Sequence, residues 1–267
     1  MKTDIHVHSE FSEDSDSPME AMADAAVAAG VEALAFTDHL DYDFPEELPD
    51  FTFDVPPYIE KLRRMQEEYE GRLKILIGVE LGMQPQVAEK CSALLDHFPI
   101  DYAIGSQHLV WRKDPYYPET FEGRTDAEVF RAYFEEMLSN LKVFDAYDSL
   151  GHLDYVVRCG MNGTKEYSYG DFSDVIDEIL RTVISKGKAL EVNTAGLRKG
   201  LGFAHPHPDV LRRYRELGGS LVTMGSDAHA PSDVAADMDA AAEVLRALGF
   251  KSHVYFEKHV PIEVPLP

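Results

Sequence analysis

The sequence predicts a β/α barrel carrying a polynuclear metal site at one rim. Three observations lead there. Apolar strand-like runs alternate with helical segments along the chain, which argues a parallel sheet. About seven or eight such units in 267 residues suit a closed barrel better than an open sheet. Six of the eleven histidines fall at or just after the predicted strands, and the C-terminal ends of barrel strands converge on one rim.

The elements follow in order. Residues 3–8 read as the first strand, with His6 and His8 on one face because strand side chains alternate. A helix is expected over 18–29, with Ser17 as N-cap, Pro18 at its first position and Gly30 as its stop. Residues 33–37 form a short buried strand, followed by a loop over 40–55 rich in Pro, Asp and Phe. A helix over 57–70 leads to a strand at 73–79, then a helix at 84–97 and a strand at 101–106. A second long loop, 109–124, carries Trp111, Tyr116 and Tyr117. The helix at 125–142 opens on a capping box, Thr125 with Glu128. Strands at 147–151, 189–193 and 220–224 alternate with helices at 171–186, 207–217 and 232–247. Residues 252–256 add a final strand. With no internal repeat, low-complexity tract or linker, residues 1–267 read as one domain.

Composition narrows the function. The formal net charge is −23, which repels polyanions, since nucleic-acid affinity depends on neutralising phosphates with Lys and Arg. Anionic membranes are disfavoured on the same ground. No apolar run reaches the roughly 18 residues of a membrane helix. The chain starts on a strand-like segment without a basic and apolar leader, so a cytoplasmic location is expected. Cys91 and Cys159 form no CxxC pair and read as buried free thiols.

The chemistry lies in His6-Val7-His8, Thr37-Asp38-His39, Gly78-Val79-Glu80, Gly105-Ser106-Gln107-His108, Gly151-His152-Leu153-Asp154 and Gly225-Ser226-Asp227-Ala228-His229. Any one histidine here reads equally well as a satisfied structural residue. As a set at one rim, unpaired buried imidazoles and carboxylates would be costly, and together they suit zinc, manganese or iron. His205-Pro206-His207-Pro208 also spells HxH but lies between prolines, so it reads as a loop feature. His97, His253 and His259 have no metal context.

These segments, in this order, resemble the polymerase-and-histidinol-phosphatase (PHP) superfamily. With Glu191-Val192-Asn193-Thr194-Ala195-Gly196-Leu197-Arg198-Lys199-Gly200 they resemble its histidinol-phosphate phosphatases. The resemblance implies a distorted (β/α)7 barrel with three divalent metal ions. It would place His6, His8, Glu80 and Asp227 on one ion, Glu80, His108 and His152 on a second, and His39 and His229 on a third. Where some superfamily members carry a further ligating histidine, this chain has Asp14, flanked by the alternatives Glu13 and Asp16.

The expected reaction is hydrolysis of a small phosphate monoester, L-histidinol phosphate by resemblance, through in-line attack of a metal-bridging hydroxide. Glu80, Asp227 and His229 would act at the reacting centre. Arg158 and Arg198 follow predicted strands and are candidate phosphate clamps, with Lys199 a weaker third. Asp38 and Asp154 are candidates to orient ligating histidines. The loops, through Phe44, Phe51, Trp111 and Tyr116, would meet the organic half of the substrate. The alternatives are another small phosphoester, such as a nucleotide, or a metal-binding or regulatory module without catalysis.

Overall fold

The computed structural model describes residues 1–161 and 167–267. The chain runs β1 (Thr3–Val7), α1 (Met19–Ala28), β2 (Ala33–Phe36), β3 (His39–Leu40), α2 (Val55–Glu68), β4 (Lys74–Gly82), α3 (Ala88–His97), β5 (Tyr102–Ser106) and α4 (Asp126–Leu141). It continues with β6 (Ser149–Leu150), α5 (Ser173–Ser185), β7 (Ala189–Asn193), α6 (Ala195–Arg198), α7 (Pro208–Glu216), β8 (Val222–Gly225), α8 (Met238–Ala247), β9 (Ser252–Glu257) and β10 (Val260–Pro265).

Seven strands run parallel in the order β1-β2-β4-β5-β6-β7-β8, with β3 paired to the end of β4. The sheet curls until its first and last strands meet. There the Val7–Ala228 bridge, the His8 N–H to Ala228 O bond (2.9 Å) and the Asp227 N–H to His6 O bond (2.8 Å) join the seam. This is the distorted (β/α)7 barrel the sequence implied, with helices packed outside it.

Helix periodicity explains the outer layer. α1 buries Met19, Met22, Ala23 and Ala26, one stripe at 3.6-residue spacing. α5 does the same with Val175, Ile176, Ile179, Leu180 and Val183. The capping box of α4 forms as expected between Thr125 and Glu128. Ser17 does not cap α1. Its hydroxyl donates to His229 O, and the Glu10 carboxylate takes the Met19 N–H at 2.6 Å. A carboxylate at a helix N-terminus also complements the helix dipole.

The final strand forms where the sequence placed it, over Ser252–Glu257. β9 does not join the barrel but pairs antiparallel with β10, which the sequence did not reveal. Val254, Tyr255 and Phe256 of this hairpin pack against Ile5, Ala35, Leu76 and Tyr102 of the barrel strands. Phe256 stacks on Tyr102 with centroids 5.3 Å apart. Burying each such large apolar side chain stabilises the fold by roughly 1.5–3 kcal/mol. The hairpin turn is fixed to the segments leading into β5 and β6, by the His259 N–H to Asp101 O bond and by His259 Nδ1 to Asp148 Oδ2 at 2.8 Å. It therefore stoppers the N-terminal end of the barrel and leaves the opposite rim open for chemistry.

Candidate metal centre and active-site cleft

The open rim is built from strand ends. β1 delivers His6 and, one residue past its end, His8. β4 extends beyond the predicted boundary to Gly82, so Glu80 lies within the strand. His39 starts β3, and His108 and His152 follow β5 and β6 by two residues. Asp227 sits just after β8 with a positive φ of 54°, which turns the chain back toward β1. Aspartate tolerates this left-handed conformation better than most residues. A Cβ at Gly225 would collide with the His6 Cβ, so only glycine lets β8 approach this closely.

Glu80 is the hub. Its Oε1 lies 2.9 Å from His152 Nε2, 3.3 Å from His108 Nε2 and 2.6 Å from the Ser106 hydroxyl that donates to it. Its Oε2 lies 3.2 Å from both His6 Nε2 and His39 Nδ1, and 3.4 Å from His8 Nε2. Asp227 Oδ1 stands 3.4 Å from His8 Nε2 and 3.6 Å from His229 Nδ1. Asp14 Oδ2 stands 3.0 Å from His229 Nε2 and 3.8 Å from His39 Nε2.

Four overlapping groups have ligand atoms close enough to hold an ion: His6, His8 and Glu80; Glu80, His108 and His152; His8, Asp14, His39 and His229; and His39, Asp41 and His108. Every histidine singled out at the rim is therefore brought together, and of the three acids at 13, 14 and 16 only Asp14 enters a group.

The donor chemistry fits divalent cations. The Ser12 hydroxyl donates to Asp38, so it accepts from His8 Nδ1–H. His6 Nδ1–H is likewise directed at Glu191 Oε1, 2.5 Å away. The two Nε2 atoms then face one another at 3.1 Å, so either a proton on His6 or a cation must lie between them. Glu80 Oε2, His39 Nδ1 and His229 Nε2 are also buried without a hydrogen-bond partner. Such orphaned atoms are rare in folded proteins and need an explanation, which a bound ion supplies.

Electrostatics point the same way. Burial opposes ionisation of Glu80, but His6, His39 and His108 hold its carboxyl well below the usual range. Asp227 is held down likewise by His6, His8 and His229. Burial, with His229 and His39 alongside, pushes His8 down to about 3, leaving a neutral ring with a free lone pair. His229 is raised to about 9, against burial, by Asp14 and Asp227. The carboxylates are thus held ionised and His8 neutral, as metal ligands must be, and a bound cation would replace the proton that the acids draw onto His229.

Above the cluster opens a cleft of about 460 Å³. Arg158, Arg198 and Lys199 line it. Arg158 stacks on Tyr155 at 4.2 Å and stands 3.7 Å from Asp227 Oδ2. Arg198 donates to Ser226 O at 2.5 Å and stands 3.7 Å from Asp233. Phe44, Phe51 and Tyr116 line the cleft as expected. Trp111 does not: it lies half-exposed beneath the Arg124 guanidinium, 4.4 Å from its ring.

Other assignments shift. Asp38 reaches a ligating ring only through Ser12. Asp154 orients no rim histidine. It pairs with the buried His205 at 2.5 Å and accepts from the His207 N–H. His207 caps α7 through its own Nδ1. Two positioning carboxylates had escaped the sequence reading: Glu191, against His6, and Asp41, 2.7 Å from His108 Nδ1. Glu191 gave a signal, since its strand carries it between two apolar residues. Asp41, in a loop, gave none.

A parallel barrel with imidazoles and carboxylates clustered at the C-terminal rim is the arrangement of a metal-dependent hydrolase. The chain belongs to the PHP domain family, whose sequence pattern matches residues 4–195. It is 32% identical over 260 residues to a probable histidinol-phosphatase of Clostridium acetobutylicum, covering 97% of this chain and 98% of that protein. It is 34% identical to the histidinol-phosphatase of Lactococcus lactis subsp. lactis, over 85% of this chain and 84% of that protein. The crystal structure of histidinol phosphate phosphatase from Lactococcus lactis, complexed with zinc, L-histidinol and phosphate, superposes with a TM-score of 0.90 at 31% identity, covering 98% of each chain.

Proposed function

We propose that this chain hydrolyses L-histidinol phosphate to L-histidinol and inorganic phosphate, using three divalent ions held in one cluster. The observation that carries this is the convergence of the Glu80-centred ligand groups beneath Arg158 and Arg198 at the floor of a substrate-sized cleft. The names and bound molecules of the relatives support the substrate.

In this reading His6, His8, Glu80 and Asp227 hold one ion, Glu80, His108 and His152 a second, and Asp14, His39 and His229 the third. Bound zinc, manganese or iron would activate water by lowering its pKa and neutralise charge on the phosphoryl oxygens. The chain's own residues do the rest. Arg158 and Arg198 clamp phosphate oxygens with planar, preorganised donors, and Lys199 adds a point charge at the cleft mouth. Glu80, Asp227 and His229 shape the reacting centre: the two carboxylates stay ionised there, and His229 remains within reach of both Asp14 and Asp227. Phe44 and Phe51 shield the centre from bulk water, which strengthens every electrostatic contact inside.

One domain over residues 1–267 would carry the activity, in a reducing cytoplasm consistent with two free cysteines. The net charge of −23 supports a small substrate over long nucleic acid. Among the described residues no helix is long and apolar enough to cross a membrane. The test is steady-state kinetics on L-histidinol phosphate, nucleotides and an aryl phosphate, with bound metals quantified. A dominant kcat/KM for L-histidinol phosphate is expected. Preference for a nucleotide would reassign the substrate, and stoichiometric metal without turnover would leave a binding module.

A further inference from the structure

The acids of the cleft divide by partner. Asp14, Asp41, Glu80 and Asp227 face histidines, Asp233 faces Arg198, and Glu13 is exposed to solvent. Asp114 lines the same cleft and, among the described residues, pairs with no Lys, Arg or His within 4.0 Å. One carboxylate oxygen accepts the Tyr116 N–H at 2.8 Å. The other has no partner from the described residues. Its carbonyl meanwhile accepts from the Tyr117 N–H (3.2 Å) and the Thr120 hydroxyl (2.8 Å), so the loop holds this side chain in place.

We propose that Asp114 recognises the substrate's ammonium group, so that the enzyme selects phosphate monoesters carrying an amine on the carbon next to the phosphorylated one. This rests on the phosphatase reading above and adds the feature that picks its substrate. Asp114, Tyr155 and Arg158 line the same cleft, which puts the carboxylate and the candidate phosphate clamp in one space. A vicinal amino group on an ester gripped by Arg158 would lie within that same cleft. Burial raises the Asp114 carboxyl, against the Tyr116 N–H and the positive charge of His108 and Arg158. A desolvated carboxylate lacking its own cation gains most from one brought by the ligand. Tyr116 and Tyr117, next along the loop, line the cleft and can meet the aromatic end of the same molecule.

Asp114 also caps a turn, so the informative variant is Asp114→Asn, which keeps the acceptor for Tyr116 and removes the charge. Metal-loaded wild type and variant are assayed on L-histidinol phosphate and on its deamino analogue, imidazolylpropyl phosphate. Loss of a charged hydrogen bond predicts a kcat/KM decrease of about 10- to 100-fold for L-histidinol phosphate, carried by KM, with the analogue unchanged. Equal losses on both esters, or none on either, overturn the inference. If wild type does not hydrolyse L-histidinol phosphate, phosphoethanolamine and ethyl phosphate replace the pair. A preference for the amine that Asp114→Asn erases then upholds Asp114 while the proposed substrate falls, and no preference overturns both.

Discussion

His6 Nδ1 lies 2.5 Å from Glu191 Oε1, and both groups are sealed from solvent. Burial would lower the His6 pKa, but Glu191, then Glu80 and Asp227, raise it well above the ordinary value. The other oxygen of Glu191 accepts the His152 N–H at 2.8 Å, so one carboxylate orients ligands on two strands. Glu191→Gln must turn an amide N–H toward one of these donors. The expected result is a 10- to 100-fold weaker metal affinity, roughly the scale for groups that orient a ligand. Competition with a chromophoric chelator measures it. An unchanged Kd would leave Glu191 a packing residue.

His8→Ala and Asp227→Asn remove atoms from the cluster itself. Each is expected to cut turnover beyond that roughly 10- to 100-fold range while circular dichroism reports an intact barrel. The core elsewhere does not depend on these side chains. Retention of most turnover by either variant would dissolve the assigned ligand set.

Arg198→Ala should lower kcat/KM for phosphate esters by about 10- to 100-fold, the scale of a hydrogen bond to a charged group. Arg198→Lys should recover only part, because an ammonium cannot supply two parallel donors. Equal kinetics for wild type and the alanine variant would take Arg198 out of the site.

The barrel stopper provides a pH prediction. Hydrogen bonding to Asp148 raises the His259 pKa, with burial opposing. A raised folded-state pKa means the protonated form is favoured by folding. The stabilisation is fully present below the unfolded value of about 6.5 and fades as pH climbs through the higher folded value. Denaturant midpoints should therefore decline above about pH 6.5, and His259→Gln should flatten that decline. A variant with an undiminished slope would assign the decline to other groups.

Much of this was legible because a barrel turns local signals into a shared location. A histidine after an apolar run needs no long-range knowledge to be placed on the rim, and strand alternation set His6 beside His8. Partners brought from afar were not legible. Asp41 meets His108 across 67 residues of sequence, and its loop has no period to read. β10 was missed since Val260–Pro265 holds two prolines, which argue against a strand; its pairing with β9 supplies the order that its own composition lacks. The early end given to β4 has a similar cause: β3 and β5 pair with it as far as Leu81 and Gly82, and neighbours rather than propensity decide where a strand stops.

The seam between β1 and β8 has a mechanical consequence. Among the described residues one bridge and two backbone hydrogen bonds join the two edges, and the amides that donate those bonds belong to His8 and Asp227. Those residues are also candidate ligands of one ion. Loading the ion would thus act as a clasp on the barrel's closure, tying residues more than 200 positions apart along the chain. Amide exchange at His8 and Asp227 would slow on loading.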